Sequence, residues 1–442
     1  MKPLKSQINL RVVNNTALPQ PVSIMGIVAN INTANNSNLL YEFNLTGQSF
    51  IGITNININI SNTSNPTIVL YSAQVLTQSI QGVVDALNTL NQGLFFYSGN
   101  IVYVSSSYYI YGTLDVFSTT FTSVWNTSNT SLGSSANNQI QLPLFNGGTY
   151  NFTVHWGDGT SDVITSWNQA ETLHTYTTSG VYTLNIIGTI TEWSFGNALV
   201  DDKQKILSIS NWGTLQIGIS ADLNFLNCVN LDLSTVADVL NLSNNTSLSG
   251  AFDGCTSLTT INRSNEWNTS NIILMSGLFS SCTSFNSDIS TWNVSNVTNL
   301  GGMFLNCQLF NSNISGWNVS QTIIADEMFQ GATAFNQNIG SWNVSNVTTM
   351  IRMFQGAIAF DQNIGSWDIS NVTNFTNFMN GKSFTDYSAS NLDAIYNGWS
   401  LLTVQPSINI NFGTIKYTLA GQGGRNILTG VPNIWIIADG GI

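Results

Sequence analysis

Tryptophan returns at positions 267, 292, 317, 342 and 367 of this 442-residue chain, a constant step of 25. Phenylalanine keeps the same step twice, at Phe279, Phe304, Phe329 and Phe354 and again at Phe285, Phe310, Phe335 and Phe360. Ile289, Ile314, Ile339 and Ile364 move with them. A fixed period of this length leaves few folds open. One repeat is too short to enclose a core, so its apolar residues are buried only when successive coils stack, and a solenoid results.

Spacing inside the unit predicts how a coil runs. Trp292 and Val294 lie two apart, which puts both side chains on one face of a strand, whereas Phe304, Cys307 and Phe310 step by three, as in a helical or 3₁₀ turn. Each coil is therefore expected to pass through strand, turn, short helical turn and return, its strand stacked about 4.8 Å from the next in a narrow parallel sheet. Asn293, Asn318, Asn343 and, in the last coil, Asp368 hold equivalent turns. An amide ladder is expected there, satisfying backbone groups that lack strand partners. Such a face has two readings, a structural ladder or a ligand-binding surface of Asn, Ser and Thr. Beside the tryptophans the structural reading is taken.

Cys228, Cys255, Cys282 and Cys307 each follow a phenylalanine by three residues, and Ala332 and Ala357 fill that slot in the next two coils. Zinc ligands come as cysteine pairs about two to four residues apart. A single thiol per coil, replaceable by alanine, reads instead as a column of small core residues, with no metal and no cofactor. The column carries the coils back to about Leu207, where they are less regular, as terminal repeats are.

The unit W-N-V-S-N-V-T followed by L/M-x-x-M-F, at Trp292 and Trp342, resembles the repeats of BspA-like surface proteins, a divergent leucine-rich-repeat group. Residues 388–442, with Leu392, Gly398, Trp399, Lys416, Tyr417, Arg425 and the run from Trp435 to Gly441, are similar to the closing segment of such proteins. A cap is also what an exposed last coil requires. The resemblance implies a leucine-rich-repeat-like solenoid shown on a surface.

Upstream, alternating strands are expected at 140–142, 150–154 and 182–186. Trp156, Gly157, Asp158 and Gly159 form a tight-turn signal between two strands. Together with His174 and Tyr176, this W-G-D-G-T turn and H-x-Y strand resemble a PKD-like, immunoglobulin-type sandwich, and in that family such residues organise turns. His174 and Asp158 as an acid/base pair is the weaker alternative. Asp201, Asp202 and Lys203 read as a solvated linker.

The first 112 residues are read as a small α+β domain. Ile56, Ile58 and Ile60 alternate as a strand, with a bulge expected at Thr54 and Asn55, and Ser72 to Gln92 set Val75, Ile80, Val83, Val84, Leu87 and Leu90 on one helical stripe. Its expected role is attachment.

Charge narrows the partners. Only 7% of residues are charged, with 10 Lys and Arg against 22 Asp and Glu. So few cations build no phosphate-binding stripe, which argues against nucleic acid. No apolar run reaches membrane-spanning length, and the first 15 residues lack a signal-peptide core. No nucleophile elbow, phosphate loop or recurring carboxylate pair appears, so no catalytic residue is assigned.

The resulting expectation is a mainly β chain. Residues 1–112 form the attachment domain, 113–200 the PKD-like sandwich, 201–385 the solenoid and 386–442 the cap. Its expected function is non-enzymatic structure or adhesion on a particle surface, as a phage or virus fibre or decoration protein displayed in many copies or as a homo-oligomer. Structural proteins of the particle and host-surface glycans or proteins are its expected partners. The alternatives are a bacterial BspA-like adhesin and, less favoured, a solenoid polysaccharide-degrading enzyme.

Overall fold

The computed structural model describes residues 120–442 apart from 198–200 and 218–221, and within residues 1–119 the backbone of eight strands. The chain divides into two compact units, Met1–Phe121 and Thr122–Ile442.

In the first unit lie β1 (Val22–Ile24), β2 (Ile27–Val28), β3 (Leu39–Asn44), β4 (Ile53–Asn62), β5 (Asn65–Gln74), β6 (Phe95–Ser98), β7 (Ile101–Ser106) and β8 (Gly112–Ser118). They form a sheet in the order β2-β1-β8-β4-β5 and a second in the order β3-β7-β6. The alternating isoleucines fall in β4, and its register against β8 shifts between Ile53 and Asn55, where the sequence places a bulge. Ser72 to Gln74 close β5, and the rest of the expected helix lies outside the described residues. The expected boundary after residue 112 meets the head of β8, which pairs with β1 and β4.

The second unit opens with β9 (Thr120–Asn126), β10 (Gln139–Gln141), β11 (Tyr150–His155), β12 (Ser161–Ile164), β13 (Leu173–Thr175), β14 (Val181–Thr191), β15 (Ile206–Asn211) and β16 (Leu215–Gln216). The main sheet runs β12-β11-β14-β9-β15, with β16 on β14, and β10 pairs with β13. Asp202 and Lys205 correct the solvated-linker reading: both side chains are fully buried and joined at 3.1 Å. Lys205 Nζ also donates to the carbonyls of Ser135, Ala136 and Gln139, and Asp202 accepts from the N–H groups of Ser135 and Gln141. A buried ion pair persists only with its remaining hydrogen bonds supplied, and here the loop before β10 supplies them.

β15 also serves as the first rung of the stacked coils, since Ser208 bridges Asp232 in parallel. Within a coil the backbone alternates two kinds of hydrogen bond. The N–H groups of Leu300, Gly302, Phe304 and Asn306 donate to the carbonyls of Ile324, Asp326, Met328 and Gln330 in the next coil, at 2.6–3.0 Å. Those of Met303, Leu305 and Cys307 donate three residues back, to Leu300, Gly302 and Phe304. Gly302 (φ 62°) and Asn306 (φ 58°) are left-handed, as are Gly277 and Ser281, Glu327 and Gly331, and Arg352 and Gly356. Two left-handed residues four apart turn alternate peptides along the stack, so the turn itself becomes the ladder.

The three-residue step from Phe304 through Cys307 to Phe310 is thus a run of turns, as expected. The strand expected at Trp292 and Val294 is absent. Both side chains are buried with Asn293 exposed between them, but Asn293 Oδ1 accepts from Ser295 N (3.1 Å) and Val297 N donates to Val294 O (2.9 Å), which removes those groups from strand pairing. Parallel pairing between the described coils takes the form of single bridges, among them a series along Ser247, Leu274, Asn299, Ile324, Thr349 and Asn374 and one from Leu233 to Ile261.

Beyond the last coil come α1 (Ala389–Trp399), β17 (Asn409–Asn411), α2 (Leu419–Thr429) and β18 (Ile436–Ala438). Phe375 bridges Ile410 in β17, and β18 pairs with β17 in parallel. Trp399 extends the tryptophan column, its Nε1 donating to Ile364 O as Trp367 Nε1 donates to Ile339 O. The helix packs so close that a Cβ on Gly398 would collide with the Gly365 carbonyl.

Candidate functional site

All five repeat tryptophans are buried, Trp267 and Trp292 stacking at 5.7 Å and Trp317 and Trp342 at 6.5 Å. Phe279, Phe304, Phe329 and Phe354 stack at 5.7–6.1 Å inside them. These side chains form core and offer nothing to a ligand. The four cysteines are free and buried, and Cys255, Cys282 and Cys307 turn their Sγ toward the carbonyls of Phe225, Phe252 and Phe279. Burial pushes the thiols of Cys228, Cys282 and Cys307 well above their ordinary range. Among the described residues no group of three or more His, Cys, Asp or Glu is placed to hold a metal ion.

The turn residues between β11 and β12 are brought together with those of β13. Asp158 Oδ2 meets His174 Nε2 at 2.9 Å, and Asp158 Oδ1 accepts from the N–H and hydroxyl of Thr160. Burial pushes the carboxyl up, but the hydrogen bonds from Thr160 and His174 outweigh it and hold the pKa at about 2. His174 stacks on Trp156 at 4.6 Å, and Tyr176 Oη donates to Trp156 O at 2.9 Å. Gly157 and Gly159 take φ of 86° and 93°, and a Cβ on Gly157 would stand 2.6 Å from Thr183 O. Each of these contacts holds the turn, the role the resemblance implies for these residues.

One exposed edge of the coil stack follows the tryptophans, reading Ser-Asn-x-Thr after Trp292, Trp342 and Trp367, Ser-Asn-Ile-Ile after Trp267 and Ser-Gln-Thr-Ile after Trp317. The expected ladder at Asn293, Asn318, Asn343 and Asp368 is corrected here: each closes its own turn, on the N–H of Ser295, Ser320, Ser345 and Ser370. The amides that join coils lie three residues on. Asn271, Asn296, Asn346 and Asn371 donate Nδ2 to the carbonyls of Ser243, Ser270, Ser320 and Ser345 at 2.7–3.1 Å. One end of each of these four amides is thus pinned, and Gln321 takes the equivalent place in the coil between Asn296 and Asn346. A second inter-coil ladder runs through Asn286, Asn311 and Asn336, each accepting the N–H of its counterpart in the next coil at 2.9 Å.

Over the first regular coils this edge becomes concave. A cavity of about 510 Å³ is lined by neutral residues of three coils, among them Ser243, Asn245, Asn271, Ile273 and Asn296. Ile273 is 43% exposed and gives it an apolar patch. The full lining holds no Lys, Arg, Asp or Glu. Sequence reading raised the Asn/Ser/Thr face but not this cavity, one wall of which, at residues 243–246, belongs to a coil that precedes the strict period beginning at Trp267.

Residues 246–338 and 320–402 match the family described as "Mycoplasma protein of unknown function, DUF285". The match spans the coils and the start of the cap, and it supports reading the chain as a BspA-like repeat surface protein. The sheet of β9 to β16, whose turn carries the resemblance to PKD-like modules, lies outside the matched residues, and the match does not bear on that resemblance. No curated protein and no solved structure matches the chain.

Proposed function

We propose that this chain is a non-enzymatic adhesion protein, displayed in many copies, whose leucine-rich-repeat-like stack carries a neutral face that binds glycans. A PKD-like, immunoglobulin-type sandwich heads the stack, and the first unit attaches the protein to its carrier. The observation that carries the reading is the pinned Ser-Asn-x-Thr edge. Rigid amides and hydroxyls beside exposed Ile273 and Ile323 suit sugar hydroxyls and C–H faces. Their order is imposed by the fold before any ligand arrives, which lowers the entropy lost on binding. The family match is compatible with a bacterial surface as the carrier, whereas the virion reading draws no support from it.

The test is binding of the full chain, presented on multivalent beads, to immobilised neutral oligosaccharides. Retention is expected to change by less than about twofold between about 0.1 M and 0.5 M salt, because few charges are available to screen. The oligosaccharide is expected back unchanged. Cleavage of the sugar, or loss of binding with added salt, overturns the proposal.

A further inference from the structure

Asn245 stands where the stack otherwise places apolar side chains. Its counterparts in the following coils are Ile272, Val297, Thr322, Val347 and Val372, all buried. Thr322 resolves its polarity by donating to Val297 O at 3.2 Å. Asn245 does not: it is fully buried, and neither Oδ1 nor Nδ2 has a hydrogen-bond partner among the described residues. A buried amide with donor and acceptor both unmet loses its hydration and gains nothing in return, which is why such groups are rare. A valine, as three later coils use, would remove that cost.

Asn245 is also one of the residues lining the 510 Å³ cavity. The exposed residues Ser243 and Thr246 share that lining, and Asn271 and Asn296 present pinned amides beside it. From these placements we infer that the cavity is a sugar-binding subsite for a neutral glycan, with Asn245 its specificity-determining residue. An amide offers one acceptor and one donor side by side, and vicinal hydroxyls of a pyranose present the complementary pair. Because the amide is closed to solvent in this conformation, engagement requires rotation of the Asn245 side chain toward the cavity. A neutral lining gives carboxylated or sulfated sugars no cation to pair with, so their anionic groups would lose solvation uncompensated. This subsite rests on the glycan-binding reading proposed above and locates it.

The experiment uses the full chain and its Asn245→Val variant on an array of glucose, galactose, mannose and N-acetylhexosamine oligomers, beside sialylated and sulfated counterparts. Melting temperature is read in parallel. The wild type is expected to retain one or more neutral oligomers and no anionic one. Asn245→Val is expected to melt higher and to bind the same oligomers about tenfold more weakly or worse, the worth of one or two hydrogen bonds. A more stable Asn245→Val that binds as the wild type does overturns the subsite and leaves the wider reading standing. No neutral oligomer retained by the wild type overturns both. Should Asn245→Val fail to fold, Thr246→Val takes its place, since Ile273 and Ile323 occupy the equivalent exposed position. Weaker binding at unchanged melting temperature supports the subsite, and unchanged binding overturns it.

Discussion

Trp317 shows what a single side chain does in a stacked fold. Its ring packs on Trp342 and lies 6.3 Å from Phe304, and its Nε1 donates to Ile289 O in the coil before. Trp317→Ala opens a cavity shared by two coils and is expected to cost about 3–5 kcal/mol in denaturant unfolding. A loss below about 1 kcal/mol would mean that Trp317 packs little of the core. Lys382 is the opposite case, a cation in the slot that Ala357 fills one coil earlier. Its Nζ donates to Ala357 O and Ile358 O, and Asp386, Asp361 and the ring of Tyr387 are its other neighbours. Burial pushes its pKa down to about 8 against the pull of the two aspartates. The unfolded chain, with the ordinary lysine value of about 10.4, therefore binds more protons than the folded one between those limits, and stability rises with pH there. Stability of the wild type relative to Lys382→Met is expected to increase from pH 7 to pH 10, other titrations cancelling between the two proteins. A constant or falling difference would show that Lys382 stays charged in the fold.

At the scale of the element, the coil proves to be a ladder of turns where the two-residue step of Trp292 and Val294 reads as a strand. That step is real as burial and misleading as pairing, because the Asn293 side chain closes a turn that no apolar pattern reveals. The left-handed positions were equally hidden. Glycine announces Gly302, Gly331 and Gly356, but their partners are Asn306, Glu327 and Arg352, and neither Glu nor Arg has a left-handed preference that can be read. Burial of Asp202 and Lys205 was hidden for a different reason, since their partners are backbone groups of a distant loop. Columns of Trp, Phe, Cys and Ala were legible because stacking demands the same residue at the same height. Register follows from those columns. The 27-residue spacing between Cys255 and Cys282 takes up its extra residues in the return before Trp267, through left-handed Arg263 and the 3₁₀ turn Ser264–Glu266. No such slack exists between Trp317 and Val319. Deleting residues 318–342 is expected to leave a shorter stack with a cooperative melt, whereas deleting 319–342 sets an extra residue inside the Trp-x-Val step and turns Val344 off the core. Similar melts for the two deletions would separate the fold from its register.

At the scale of the whole molecule, the second unit is a single body in which the sheet of β9 to β16 is the front cap of the stack. Ring contacts run without a gap from Trp125 through Trp193, Phe195, Phe225, Phe252 and the repeat phenylalanines to Phe378 and Phe412, at 5.4–6.3 Å. Asn224 Nδ2 donates to Trp193 O, and Phe195 N donates to Asn224 O, sealing the first coil against the sandwich. The sequence reading separates the two at residue 200 because the W-G-D-G-T turn and the 25-residue period are different signals. It cannot see that β15 serves both, as the outer strand of one and the first rung of the other. The decisive measurement compares the fragments 122–442 and 222–442 by denaturant unfolding. If the sheet of β9 to β16, the coils and the cap are one stack, 122–442 folds and unfolds in a single transition, while 222–442, with Phe225 and the first coil uncovered, fails to fold or aggregates. A 222–442 fragment that folds with the same midpoint as 122–442 would contradict the account.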